Sequence, residues 1–452
     1  MNTPIADYVS AYAAGNAARF HMPGHKGRMF LGPESRDITE IRGADDLYRP
    51  RGIIRESEEN AAQLFGAART VYSAEGSSLC IRTMLALAAW RAEEMGLSRK
   101  ILAGRNAHKT LMAVAALLDL EIDWLLPAPG EGLLSCTVNP ETVRKRLEQQ
   151  PYMAVFLTSP DYIGHCAPVR ETAEACHRAG VPLLVDNAHG AYLKFLHPDR
   201  HPMTLGADLC CDSAHKTLPC LTGAAYLHIR KNAYRDWESR AEEAMALFGS
   251  TSPSWLILQS LDRANRDLAG GYPRRLESAV HRLDRLKRRL KDRGWHLEGE
   301  EPLKLSLAPR SMGYTGEMLA EILENHGVVC EFADPDFLTL MPSAETTEQE
   351  WERLEEALEV ERKAPLREER PDPGSPERAL SIREAMLSPA ELIPVEKAEG
   401  RILADAGVQC PPAVPIRIAG ERIDAAAIAC FQYYGIRTCR VLRSRQEERH
   451  AP

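Results

Sequence analysis

Four loops hold residue types that can do chemistry: AEGSS (74–78), RNAHKT (105–110), VDNAHGAY (185–192) and DSAHKTL (212–218). In an open parallel sheet, function collects in the loops after the C-terminal ends of strands. Lys216 follows the apolar run ADLCC. A lysine just past a core strand is expected to be partly desolvated, which favours the neutral, nucleophilic amine that Schiff-base chemistry requires. Ser213 and His215 flank it with donors suited to a phosphate. The plain alternative is a loop lysine whose charge is solvated.

Asp186 ends the apolar run VPLLVD, about thirty residues upstream. A buried acid there is costly without a cationic partner, and a protonated pyridine nitrogen would be one. A helix N-cap or a metal ligand would also place Asp here. His189 follows three residues later and could approach the same ring, or be satisfied by backbone groups. AEGSS precedes a long helical pattern. Gly76, Ser77 and Ser78 at a helix N-terminus make an anion site from backbone N–H groups, hydroxyls and the dipole, though an N-cap Ser is common. Glu75 is out of place in a phosphate pocket. His108 follows the strand-like KILAG; its imidazole could stack on a planar ring, while a buried core histidine is the default reading. His21 and His25 have metal-like spacing, but Pro23 and Gly24 oppose a helix presenting both. Neither GxxxxGK[ST], GxGxxG nor GxSxG occurs, and no Cys/His cluster has zinc spacing, so no metal is expected.

Each signal is modest alone, but their order describes one cofactor. Pyridoxal 5'-phosphate needs a phosphate cradle, a ring cover, an acid for its pyridine nitrogen and a Schiff-base lysine.

The elements that must position these groups are α/β in pattern. From 56 to 272, the strand-length runs KILAG, DWLLPA, MAVFLTS, VPLLVD, ADLCCDS and AAYLHI alternate with helical stretches such as SLCIRTMLALAAWRAEEMG. This predicts a large domain with a mostly parallel sheet covered by helices on both faces. Residues 1–55 read as an N-terminal arm plus loops. A smaller α/β domain is expected over 273–363, with Thr347 and Glu350 as a capping box. A charged, Pro-rich linker (364–378), a small C-terminal domain (379–442) and a disordered tail (443–452) complete the organisation. The length of 452 residues fits this division. A net charge of -8 disfavours a nucleic-acid partner. No apolar run reaches the roughly 18 to 20 residues of a membrane span, and MNTPIADYVSAYAAGN is no secretory signal. Eleven cysteines without a CxxC pair fit free thiols in a reducing cytoplasm.

With these residues in view, the sequence resembles the Orn/Lys/Arg decarboxylases of the aspartate-aminotransferase fold (fold type I), in their short bacterial form. The resemblance rests on FHMPGHKG (20–27), ITEIRGADDLYRPRGII (38–54), AAQLFGA (61–67), AEGSS, RNAHKT, LTSPDYIG (157–164), LLVDNAHGAYL (183–193), DSAHKTLPCLTGAAYLH (212–228), GSTSPSWLILQSLD (249–262) and PPAVPIRIAGERI (411–423). Together these run through nearly the whole chain.

The resemblance implies decarboxylation of a basic L-amino acid, arginine, lysine or ornithine, to the amine and CO2. It implies that Lys216 carries pyridoxal 5'-phosphate, that Asp186 pairs with the pyridine nitrogen and that His108 stacks on the ring. Gly76, Ser77, Ser78, Ser213 and His215 would hold the phosphate, and Lys216 or His215 would return a proton to the substrate. A homodimer is implied, with the active site at its interface and Ser252 reaching the partner's phosphate. A basic substrate needs distal anions, for which Asp45, Asp46, Asp161 and Glu421 are candidates. The chain departs from the family pattern at Glu75 (usually Asn), Asn187 (usually Glu), Asp161 and Ile163 in TSPDYIG, and Cys410, Ala413 and Val414 in CPPAVP. These departures leave the substrate open. Two alternatives stay open as well: another fold-type-I reaction, such as transamination or elimination, or a non-catalytic relative that binds amino acids or a protein.

Overall fold

A computed structural model describes the chain apart from residues 16, 128–132, 134, 235, 368–369, 410–413 and 444–452. Cys410, Ala413 and nearly all of the expected tail lie outside the described residues. The chain divides into two compact units. Met1–Ser98, Pro140–Ser159 and Pro168–Glu277 form the first; Arg99–Asn139, Pro160–Ala167 and Ser278–Pro452 form the second.

Seven strands come first in chain order: β1 (Arg69–Ser73), β2 (Lys100–Gly104), β3 (Glu121–Leu125), β4 (Ala154–Thr158), β5 (Leu183–Asp186), β6 (Leu209–Asp212) and β7 (Ala225–Ile229). In the first unit the order is β1-β7-β6-β5-β4. β4, β5 and β6 run parallel, and β7 is antiparallel to both β6 and β1. Every residue of β1, β5, β6 and β7 is buried, which is why these strands lack polar alternation. The helix Gly76–Glu94 packs against β6 and β7, burying an almost unbroken run from Leu79 to Ala89.

Two elements of this unit have weak sequence signals. β1, RTVYS, is held by its register with β7. The arm, read from sequence as loops, begins with a helix, Pro4–Ala14. Its N-cap Thr3 makes no side-chain cap. Asp262 supplies one from the helix Trp255–Leu268: its Oδ2 accepts the Ala6 N–H at 2.9 Å, and its Oδ1 accepts the Ser57 hydroxyl at 2.5 Å. Burial raises the Asp262 carboxyl to about 6 against the opposing pull of these donors.

In the second unit β2 and β3 pair in parallel. Eight further strands follow: β8 (His296–Glu298), β9 (Leu305–Ala308), β10 (Phe332–Ala333), β11 (Leu338–Leu340), β12 (Ala390–Pro394), β13 (Gly407–Gln409), β14 (Pro415–Ile418) and β15 (Thr438–Leu442). The four from β8 to β11 form an antiparallel sheet in the order β10-β11-β9-β8. The helix Glu348–Ala357 opens with the expected capping box, Thr347 with Glu350. β12 pairs with β15 and β13 with β14, over a core that includes Val395, Leu403, Ile423, Phe431 and Val441. Among the described residues no helix is long and apolar enough to cross a membrane.

Candidate active site

The site grows from the ends of β5 and β6. Ser213 follows β6, and the short helix Ala214–Thr217 then carries Lys216. Lys216 is exposed, not desolvated as its place after a core strand predicts, because that turn lifts it beyond the buried end of β6. Its Nζ lies 3.0 Å from Nε2 of the buried His189. His215 is tied back to the sheet: its Nδ1 donates to the Ala224 carbonyl at 2.9 Å. Burial lowers its pKa, and the neighbouring Lys216 lowers it further. In that neutral form Nε2 is an acceptor, which suits taking a proton better than donating to a phosphate.

The residues expected to hold an anion gather at one helix N-terminus. The Gly76 N–H bonds to Gly223 O at 2.7 Å, and Gly76 adopts φ +71, where glycine is favoured. No atom lies within 4 Å of where a Cβ would stand, so the space in front of Gly76 is open. Ser213 Oγ and Ser77 Oγ converge at 2.8 Å over the N-terminus of a 19-residue helix. Ser78 is half-buried in the same first turn. Glu75 points elsewhere: its Oε1 accepts the Ser250 N–H at 2.6 Å and anchors the GSTSPS loop. In that loop Ser252 is exposed.

Asp186 is 2% exposed. Its Oδ1 accepts the Ala188 N–H at 3.1 Å and faces the Cys211 thiol at 3.5 Å. It has no cationic partner among the described residues. A carboxyl group so buried fits a site completed by a bound cation, and a protonated pyridine nitrogen meets that requirement. Together with the open cradle and the reachable lysine, the residues present fit pyridoxal 5'-phosphate.

Sequence reading missed the group beneath these loops. Asp212 is fully buried and receives Asn187 Nδ2 at 2.6 Å, His201 Nε2 at 2.9 Å and His228 Nε2 at 3.1 Å. Burial alone would raise its carboxyl, but the two histidines hold it well below the usual range. Asp212 ends its strand as Asp186 does, and that repeat was the available signal. His201, Cys210 and Asp212 lie close enough together for a metal ion. The tautomer opposes one: the Met203 N–H donates to His201 Nδ1, so Nε2 carries the proton and donates to Asp212. His21 and His25 are engaged separately, by the Tyr12 hydroxyl and by Asp37.

In the first unit, Asp45 caps the helix Ile53–Phe65: its Oδ2 accepts the N–H groups of Gly52, Ile54 and Arg55. Asp46 is exposed and uses only Oδ1, on the Tyr48 N–H. The other candidates belong to the second unit. His108 is exposed there, not a buried core histidine, and its Nδ1 meets Thr110 Oγ1 at 2.8 Å. Asp161 is buried and folds its own loop, accepting the Gly164 and His165 N–H groups at 2.8 Å and His165 Nδ1 at 3.1 Å. Glu421 is buried in a bidentate pair with Arg105, both contacts 2.8 Å, and also accepts the Ile418 N–H.

Residues 3–307 match the family model for the Orn/Lys/Arg decarboxylase major domain, and residues 374–439 match that family's C-terminal domain. The arginine decarboxylase of Halalkalibacterium halodurans is 30% identical over 94% of this chain and 92% of its own. Lysine decarboxylase A of Pseudomonas aeruginosa shares the fold at a TM-score of 0.79 and 18% identity, covering 97% of this chain and 80% of that one. A serine palmitoyltransferase of S. paucimobilis, solved with bound PLP–myriocin, superposes with a TM-score of 0.53 and 16% identity over 67% of this chain and 74% of that one.

Proposed function

The chain belongs to the Orn/Lys/Arg decarboxylase family, and we propose that it decarboxylates a basic L-amino acid on pyridoxal 5'-phosphate held in the first unit. The observation that carries this reading is the buried Asp186 carboxyl without a cationic partner among the described residues. Bound there, the cofactor supplies an electron sink for the pair left when the carboxylate departs as CO2.

The chain's own residues supply the rest. Gly76, Ser77, Ser78 and Ser213 bind the phosphate at the helix N-terminus, with the dipole aiding. Asp186 holds the proton on the pyridine nitrogen. Lys216 is the attachment amine, and His189 Nε2, at 3.0 Å, accepts the proton that Nζ must lose to become nucleophilic. His215 Nε2 is the second proton acceptor of the site. Of the four acids considered for the distal amine or guanidinium, Asp46 is the one with a carboxylate oxygen without a hydrogen-bond partner among the described residues, and it is the candidate we retain.

The same reading makes the enzyme a homodimer. Phe20, Met22, Met29, Phe30 and Leu31 are all exposed within twelve residues of the arm, with Phe20 at 96% and Phe30 at 87%. Such a cluster marks an interaction surface. A second copy covering it would bring Ser252 to the partner's phosphate.

The test is a screen of arginine, lysine and ornithine with added pyridoxal 5'-phosphate, following CO2 and keto acid together. CO2 with the matching amine supports the proposal. Keto acid without CO2 would assign a transaminase instead, and neither product from any substrate would reject catalysis on these amino acids.

A further inference from the structure

The buried acid Asp212 joins separate elements. It lies at the end of β6, His228 comes from β7, and His201 precedes the short helix Pro202–Leu205. Asn187 comes from the turn after β5, between Asp186 and His189. His228 Nδ1 meets the Thr70 hydroxyl at 2.8 Å, and burial lowers the pKa of its ring. The Cys210 thiol faces Asp212 Oδ1 at 3.7 Å. The group therefore gathers hydrogen-bond donors from four elements around one buried carboxyl.

Asn187 is fully buried. Its main chain closes the turn: its N–H donates to Cys211 O at 2.9 Å, and its carbonyl accepts the Gly190 N–H at 2.8 Å. Its side-chain Nδ2 adds the 2.6 Å bond to Asp212. Three bonds thus fix the turn that carries Asp186 at one end and His189 at the other. The family motif has Glu at this place, whereas here the residue is a neutral amide facing a buried acid. A carboxylate at 187 would set two negative charges at hydrogen-bond distance with no solvent between them, and one would be forced to protonate.

We propose that Asn187 is a positioning residue of the cofactor site, its amide bond to Asp212 orienting the Asp186–His189 turn, and that this buried pair admits a single acid, placed at 212. The inference rests on the reading that Asp186 and His189 serve the cofactor.

The test compares wild type, Asn187→Asp, Asn187→Ala and the exchange Asn187→Asp with Asp212→Asn. The first readout is the thermal midpoint of cofactor-free protein from pH 5 to 8. In the wild type the folded pKa of Asp212 is depressed, so its contribution is complete above the unfolded value of about 4 and flat across this window. In Asn187→Asp the pair's folded pKa is raised, so its stability is present in acid and lost as pH rises. The other titratable groups facing the cluster are His201, His228, Cys210, Cys211, Cys80, Asp186 and Lys194. With Tyr226 they are common to both proteins, so the difference curve reports the added carboxylate together with its coupling to the two histidines.

The second readout is pyridoxal 5'-phosphate affinity by absorbance titration. Asn187→Asp is expected to bind about tenfold or more weakly at pH 8 and to recover toward pH 5.5; one decade corresponds to one pKa unit of coupling. The exchange variant should return to within about threefold of wild type. Asn187→Ala should bind more weakly with a wild-type pH slope. A flat difference curve, or wild-type affinity in Asn187→Asp or Asn187→Ala, overturns the inference. If Asn187→Asp does not fold, the alanine and exchange variants decide it: weakened binding by the first with recovery in the second supports it, and any other pattern overturns it. Failure of the wild type itself to bind pyridoxal 5'-phosphate rejects the functional reading instead.

Discussion

Lys216 Nζ and His189 Nε2, 27 residues apart in sequence, stand 3.0 Å apart in space. One proton can be shared between them. Lys216→Ala removes the proposed attachment amine: borohydride should then fix no cofactor, and decarboxylation should fall at least about a thousandfold. His189→Gln keeps a hydrogen-bond acceptor but removes the base. Cofactor attachment at pH 7 should slow about a hundredfold, in the range of general-base effects, and its pH profile should move to higher pH. Attachment at the wild-type rate and pH profile would leave His189 without this role.

The exposed arm makes a prediction about assembly. Phe30→Asp places a charge in the apolar cluster of Phe20, Met22, Met29 and Leu31. Because Phe30 buries almost nothing within its own chain, the fold should be unaffected, with a thermal midpoint near wild type at high dilution. Sedimentation should show subunits separating at concentrations about tenfold higher or more, since a central apolar contact commonly contributes over 1 kcal/mol. Unchanged sedimentation would remove the arm from the interface.

What could be read from the sequence was what is local. LLVD, LCCD and AYLHI are continuous apolar runs because helices bury both faces, so strands and strand-end acids stand out together. The proposed anion site at Gly76–Ser78 and the proposed attachment lysine at 216 are read from position alone. What escaped depends on distant partners. The helix Pro4–Ala14 is capped by a residue 256 positions away. Asp45 reads as a free acid until the chain returns its carboxylate to the amides of Gly52, Ile54 and Arg55. Glu421 meets Arg105 across 316 residues. Asp212 is visible as a residue, but its histidines arrive from other elements.

The loop built on Asp161 predicts an alkaline transition. His165 is raised to about 10, first by its bond to Asp161 and then by Glu298. A folded pKa above the unfolded value of about 6.5 gives stability that is complete below pH 6.5 and lost as pH rises through 10. His165→Gln should therefore lower the thermal midpoint at pH 6 and lose less than wild type between pH 7 and 10, so that the two curves converge in alkali. Parallel curves across that range would mean that His165 carries no charge in the fold.

Glu421 separates two roles that sequence reading left together. Its carboxylate is engaged by both Nη atoms of Arg105 at 2.8 Å and by the Ile418 amide, in a setting almost closed to solvent. Arg105 lies 5.1 Å over the Trp124 ring. Removing one partner of a buried pair strands the other charge, which typically costs about 3–5 kcal/mol. Glu421→Gln should lose stability on that scale in denaturant titration, and Arg105→Met with Glu421→Leu should recover much of it, because no charge is then left unpaired. The KM for the amino acid should stay near wild type at temperatures where the variant is folded. A substrate-binding acid would behave in the opposite way, with KM rising at least tenfold and stability held, since a distal amine would be the group deprived of its partner. That second pattern would return Glu421 to the substrate pocket.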